Sequence, residues 1–431
     1  MLEDFLRTSL RRLLTKEKSL TLDNKIPSRA ELGKKFQDIE EFGLYLHIPF
    51  CEQICPYCPY NKEIYDPEMA KKYTNAVIKE MYFYSDIVRD KPVTSFYIGG
   101  GTPTTMLRTG LQKILDHIFS IFNMQCDIHM ESHLNHLTPE NLHDIAAMGI
   151  EHLSMGIEAL QERHLRTLKR PYTVEEAKAA VDRAVNMDFQ CVNADLMFGL
   201  PGQTFREVEQ AAQDLVAMGV DQIAAYPLFR FPYTKMGGDS GDSNYNLLTI
   251  LKRRRMLRIL ENIFYDAGFE RTSVWAFTKK GVPKYCSVTI PLYVGLGASG
   301  GTYLRDIFYL NTFNVSEYIN KVENSEMPIS LSVNLSERMQ MAGWLYWRIY
   351  ETQFERSDFR KKFGSGFDEI YGKYIEPLSF LGFLKDDGDR VVLTDRGTYW
   401  LHALEDIFSI NYVSKLWGTS KQNPWPKKVV L

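Results

Sequence analysis

Residues 43–230 alternate between short apolar runs and amphipathic stretches, and this rhythm constrains the fold more than any other feature of the chain. The apolar runs are Gly43–Phe50, Ser95–Gly99, Asp127–Glu131, His152–Ile157, Cys191–Phe198 and Gln222–Leu228. Helical patterns fill the gaps near 66–89, 108–122, 138–148, 173–187 and 204–218. Thr138-Pro139-Glu140 and Thr204-Phe205-Arg206-Glu207 read as helix starts, the second as a capping box; Gly149 and Gly219 read as helix stops. Apolar strands separated by helices predict βα units on a parallel sheet. Six units in about 180 residues point to an incomplete α/β barrel more than to a doubly wound sheet.

The flanks read differently. Residues 1–42 are polar and helical in pattern, with a break at Pro27-Ser28. The opening MLEDFLRTSLRRLLTKEKSL carries acids and has no apolar h-region, so it reads as a helix that packs on the domain and not as a secretory signal. Gly237–Ser243 reads as a flexible loop, and a helix is expected over 245–267. Its Lys252-Arg253-Arg254-Arg255 run reads as a solvated face. Further strands are expected around Gly295-Leu296-Gly297. From about residue 330 the pattern is mostly helical, with a short strand Val391–Leu393 and a turn before a last helix. That order resembles a winged-helix module, but the wing carries as many acids as bases, which favours packing or substrate covering over DNA binding. The expected division is 1–42, 43–305 and 306–431. With 51 basic against 54 acidic residues, the net charge of −3 disfavours nucleic acid as a partner. No run of 18 apolar residues occurs, so no integral membrane segment is expected.

Three of the six cysteines fall within eight residues: Cys51, Cys55 and Cys58, in a C-x3-C-x2-C pattern after the first strand. Three thiolates on one loop can hold three irons of a [4Fe–4S] cluster and leave the fourth without a protein ligand. An open position turns a structural or electron-transfer centre into a reactive one. The competing reading is a Cys₃His zinc site with His47; no second cysteine pair supports it. Cys126 and Cys191 lie in strand patterns and read as core, and a buried apolar role is also expected for Cys286. His129, His133 and His136 form no metal-ligand spacing.

Around this pattern the chain resembles the radical S-adenosylmethionine (SAM) superfamily. LYLHIPFC at 44–51, FYIGGGTPT at 96–104, LSMGIEALQERHLRTLKR at 153–170 and NADLMFGLPGQT at 193–204 are similar to the oxygen-independent coproporphyrinogen III oxidase group. That group also holds haem chaperones, anaerobilin synthases and class C methyltransferases. The resemblance implies a partial (β/α)6 radical SAM barrel with a C-terminal helical, winged-helix-like module. It implies a [4Fe–4S] cluster on Cys51, Cys55 and Cys58, and SAM cleaved by one electron to a 5′-deoxyadenosyl radical that abstracts hydrogen. It carries SAM-contact roles onto Gly100, Gly101 and Thr102, onto Glu131, Arg170 and Asp195, and onto Tyr45 and Tyr57. It further implies a tetrapyrrole or other bulky substrate, an electron donor such as flavodoxin or ferredoxin, and a cytoplasmic setting.

Three departures narrow the reading. Tyr60 stands where the oxidase has a fourth cysteine, and Glu158 stands where the oxidase has a Gln that touches a second SAM, a SAM-contact position where a carboxylate can still accept from ribose hydroxyls. Tyr285–Ile290 lacks the His-Asn-x-x-Tyr-Trp motif of the haem chaperones. The expected function is therefore radical SAM hydrogen abstraction on a tetrapyrrole. A two-SAM methyltransferase and a haem-binding chaperone are the alternatives.

Overall fold

A computed structural model describes residues 2–88, 90–238, 247–285 and 292–431. Six strands run parallel: β1 (Phe42–Ile48), β2 (Pro92–Gly100), β3 (Ile128–Ser132), β4 (Ile150–Glu158), β5 (Cys191–Phe198) and β6 (Gln222–Pro227). Each matches an expected apolar run to within about three residues, a normal spread for strand and helix ends. Register sets Tyr45 opposite Tyr97, Glu131 opposite Ser154 and Gly156 opposite Asp195.

The sheet continues in both directions. β7 (Phe269–Arg271) and β8 (Ala276–Lys279) extend it antiparallel beside β6. β9 (Tyr293–Leu296) runs parallel to β1, followed by the antiparallel β10 (Gly301–Leu304), β11 (Ile307–Asn311) and β12 (Ile329–Asn334). The short strands Thr21–Asp23 and Lys428–Val430 complete that end. The result is one large mixed sheet of an α/β fold, with β7 at one edge and Lys428–Val430 at the other.

Helices cover the parallel part because each carries one apolar stripe. In Phe205–Ala217 the buried residues are Val208, Ala211, Ala212 and Leu215, a three-and-four spacing that lies on one face. Thr204 caps this helix in a capping box with Glu207, and Thr138 caps Pro139–Ala147. Gly149 and Gly219 stop the preceding helices at φ 79° and 82°, a backbone region open to glycine at little cost.

Several expectations need correction. Ile329–Asn334 is a strand of the main sheet, not part of a helical segment; its Ile-Ser-Leu-Ser-Val-Asn alternation has period two. Residues 1–42 hold a three-residue strand, Thr21–Asp23, between the helices Leu2–Thr15 and Arg29–Gln37. The basic run 252–255 is a solvated face only in part: Lys252 and Arg255 are exposed, whereas Arg253 and Arg254 turn inward. On the helix Leu247–Asp266, Arg253 is buried and donates to the Leu228 carbonyl at 2.6 Å, and Arg254 reaches Glu261 at 2.7 Å. Arg255 stacks over the Phe205 ring at 4.3 Å, and Lys252 donates to the Gln203 carbonyl. Within the expected loop 237–243, Gly237 and Gly238 end a short helix from Lys235, and the rest lies outside the described residues. Cys286 lies outside them as well.

The C-terminal module is built from the helices Glu337–Tyr350, Arg356–Phe363 and Phe367–Phe380 with a three-stranded antiparallel sheet. It has its own core of Trp344, Phe354, Phe359 and Phe367. The last helix, Asp395–Gln422, runs back toward the Cys loop, where Lys421 donates to the carbonyls of Pro59 and Tyr60. Among the described residues no helix is long and apolar enough to cross a membrane.

Candidate functional site

The candidate residues converge at the carboxyl ends of β1–β5, where parallel α/β folds place their ligands. Cys51, Cys55 and Cys58 occupy the loop after β1, and none is in a disulfide. His47, the penultimate residue of β1, braces that loop. One ring nitrogen meets the Tyr45 hydroxyl at 2.9 Å and the other the Asn61 carbonyl at 3.0 Å. With both nitrogens engaged, His47 is no zinc ligand. Where the oxidase has its fourth cysteine, Tyr60 packs on the Trp417 ring, centroids 5.8 Å apart.

The glycine run at the end of β2 is dictated by contact. A Cβ at Gly101 would stand 2.8 Å from the Phe50 carbonyl oxygen, and Gly101 N–H donates to the Ile48 carbonyl at 2.7 Å. A Cβ at Gly100 would meet the His47 ring at 2.6 Å, and its φ is 121°. This close approach locks the β2 end to the Cys loop. Thr102 Oγ1 then donates to Cys51 Sγ at 3.4 Å.

Four charged groups surround this corner. Glu131 on β3 accepts from the Tyr97 hydroxyl at 2.7 Å and from Gly100 N–H at 3.1 Å. Glu158 ends β4 at a bulge with φ 68°, a strained conformation of the kind found at binding sites, and accepts from the Tyr226 hydroxyl at 2.8 Å. Asp195 on β5 accepts from Asn193 at 2.8 Å. Arg170 follows the short helix Glu162–Thr167, whose exit turns through Lys169 at φ 54° and sends the guanidinium back toward the strands. There it donates to the Gly156 carbonyl and to the Tyr172 hydroxyl, and lies 3.5 Å from Cys55 Sγ and 3.4 Å from the buried Tyr57 hydroxyl.

Burial, then the carboxylates of Glu158 and Glu131, push the Asp195 carboxyl well above its usual range. Burial likewise raises Glu131. Three carboxyl groups face one guanidinium, a balance that suits a ligand carrying its own positive charge, as SAM does in its sulfonium and ammonium groups. Burial pushes the Cys51 thiol up to about 12 and raises Cys58. Thiolates here need a bound cation to exist at neutral pH. No three of the His, Cys, Asp or Glu groups among the described residues are placed to share a single ion. A cluster in which each thiolate takes its own iron fits this donor set better than one zinc. The three thiols thus fit a [4Fe–4S] cluster, and Gly100, Gly101, Glu131, Arg170 and Asp195 lie around the same corner.

Sequence reasoning missed Tyr97, Tyr172, Tyr226 and Asn193, which hold the charged groups in place. Tyr97 was findable: it is two residues before Gly99 and pairs in register with Tyr45, and the two rings stack at 6.1 Å. Also missed was a mostly apolar cavity of about 760 Å³ beside this corner. Tyr45, Tyr97, Gly100 and Glu131 form one end of it. Trp344 and Trp347, Phe408 and Tyr412, and Leu10 and Leu14 of the N-terminal helix close it from the other side.

Comparison with known proteins places this geometry. The Radical SAM superfamily model matches residues 45–215, and the HemN C-terminal domain model matches residues 355–400. The haem chaperone HemW of Bacillus subtilis (strain 168) is 24% identical over 360 residues, covering 82% of this chain and 95% of that protein. The oxygen-independent coproporphyrinogen III oxidase of Pseudomonas aeruginosa is 22% identical over 399 residues, covering 85% of each. The Escherichia coli coproporphyrinogen III oxidase HemN has the same fold: TM-score 0.76 at 19% identity, over 90% of this chain and 94% of that one. The chain belongs to the radical SAM superfamily, in the group of HemN and HemW.

Proposed function

We propose that this protein is a tetrapyrrole-handling radical SAM protein that binds haem in the cavity beside the SAM corner. The observation that carries this reading is the cavity itself. Its volume of about 760 Å³ lies within the range of ligand sites, its lining is mostly apolar, and Gly100 and Glu131 belong both to it and to the SAM corner. Haem carriage was the lesser alternative on sequence alone; the names of the curated relatives support it better than oxidation. Tyr285–Ile290 still lacks the His-Asn-x-x-Tyr-Trp motif, so in this reading the cavity's own residues would hold the haem.

In this reading the six parallel strands wrap as a partial barrel around SAM. Residues 43–305 hold the cofactors, while residues 1–42 and 306–431 close the cavity. When bound, the cluster and SAM supply one-electron cleavage of the sulfonium. The chain's own residues orient and shield: Arg170 takes the SAM carboxylate, Gly100 and Glu131 its ammonium, and Asp195 the ribose hydroxyls. A second reading, hydrogen abstraction from a tetrapyrrole, draws on the wall that SAM and the cavity share. Either activity calls for a reduced cytoplasm and a flavodoxin- or ferredoxin-like electron donor.

The test is a haem titration of anaerobically reconstituted protein followed by absorbance, with 5′-deoxyadenosine and S-adenosylhomocysteine measured after SAM and dithionite are added. Saturable haem binding with a distinct spectrum supports carriage; no haem spectrum would sink it. 5′-Deoxyadenosine that rises with coproporphyrinogen III but not with haem shifts the assignment to oxidation. S-Adenosylhomocysteine formed with substrate shifts it to methyl transfer.

A further inference from the structure

The charged residues on the cavity wall differ in how they are matched. Glu131 is held by Tyr97 and Gly100, Glu405 accepts from His402 at 3.1 Å, and Arg11 donates to the Leu431 carbonyl at 2.5 Å. Arg348, on Glu337–Tyr350, pairs with Glu351 at 2.8 Å, a carboxylate that Lys284 also approaches at 3.4 Å. Lys362 is the exception. It sits on the facing helix Arg356–Phe363, lines the same cavity, and among the described residues has no carboxylate within ion-pair distance. Its charged neighbours are both cations: after burial, Arg348 and Arg305 lower its pKa to about 8. Lys362 thus stands beside Arg348 and Arg305 with no acid of its own among the described residues, so this end of an otherwise apolar chamber carries excess positive charge.

An ammonium that is largely withdrawn from water and set among like charges is costly unless an anion joins it. We propose that Lys362, with Arg348 beside it, anchors a carboxylate of the ligand that fills the cavity. The anchor lies on the helical side, across the cavity from Glu131. A ligand fixed there by its acidic substituent would extend its apolar body along the tryptophans toward the SAM corner. The ligand class is therefore a large, apolar, ring-shaped acid with at least one ionised side chain. This inference rests on the reading of the cavity as a tetrapyrrole chamber, and it assigns that chamber a polarity.

Haem and haem dimethyl ester differ only at the two carboxylates, so they test the anchor directly. Affinities of both for wild type, Lys362→Gln and Lys362→Arg are measured by absorbance titration, with circular dichroism to verify folding. The expected result is that wild type prefers haem over the ester, and that Lys362→Gln weakens haem binding about tenfold while leaving the ester within about twofold. Lys362→Arg, which keeps the charge, restores haem affinity. Equal affinity of wild type for haem and ester, or equal loss of both in Lys362→Gln, overturns the anchor and leaves the chamber standing. Wild-type protein that binds neither overturns the chamber, and the anchor with it.

Discussion

At the carboxyl ends of β1–β5, a few residues of each strand or loop meet a few of the next. Cys51 meets Thr102, Gly100 meets His47 and Glu131, and Arg170 meets Cys55 and Gly156. The cavity beside them draws on residues from Leu10 to Leu431, and most supply only apolar surface. The contrast teaches where specificity is written. A cofactor corner needs donors, acceptors and bare backbone at fixed separations, so its residues cluster into short motifs. An apolar chamber needs volume, which many combinations of side chains can enclose.

The sharpest way to break this contrast is to destroy one region and ask whether the other notices. Cys55→Ser replaces a thiolate with a poor iron ligand next to Arg170. Bound iron and SAM-dependent 5′-deoxyadenosine should fall to background, whereas haem affinity should change by less than about twofold, since Cys55 does not line the cavity. Iron analysis and haem titration of the same preparation decide it. A parallel loss of haem binding would mean that the two regions form one site.

A smaller effect is expected where the regions touch. Gly100→Ala would set a Cβ 2.6 Å from a His47 ring that Tyr45 and Asn61 hold on both sides, at a φ of 121°. The ring cannot yield without releasing the Cys loop. A cost of about 2–4 kcal/mol is expected from the strained backbone plus overpacking. It would appear as a lowered Tm and as weaker SAM binding in the folded fraction. A fully stable Gly100→Ala protein with normal SAM affinity would show that the loop is free to move.

This contrast also explains what could be read in advance. The six parallel strands were legible because most are buried on both faces and read as apolar runs. Gly100, Glu131, Arg170 and Asp195 were reached through motifs shared with the superfamily, and the structure gathers them with the cysteines at one corner. The holding hydroxyls of Tyr172 and Tyr226 were not legible, since a tyrosine in an apolar pattern reads as core whether or not its hydroxyl is used. Arg253 and Arg254 in the basic run misled for the converse reason. Long cationic side chains can bury their stems and send their heads to carbonyls, rings or carboxylates of another element, and local charge does not reveal this. Lys362 was invisible because its meaning depends on Arg348 and Arg305, which a neighbouring helix and a hairpin bring to it.

The smallest expected effect concerns a brace beneath both regions. On the helix Pro67–Val88, Tyr73 donates to the His47 carbonyl behind the Cys loop. One face along, Glu80 accepts from Gly297 N–H at 2.7 Å and from Asn311 at 2.6 Å, fixing the ends of β9 and β11 beside the cavity, and from Tyr318. Burial raises the Glu80 pKa from 4.5 to about 7. Between those values the folded protein binds more protons at this site than the unfolded chain does, so its contribution to stability is full below about pH 4.5 and is lost as pH rises through 7. Glu80→Gln cannot ionise and lacks this slope. The substitution should cost about 1–2 kcal/mol at pH 5 through poorer acceptance from its three donors, and less at pH 8, as chemical denaturation at the two pH values will reveal. A cost that stays the same at the two pH values would mean that the three donors keep Glu80 ionised throughout. The brace would then hold by charge, and the two regions would share a fixed anion.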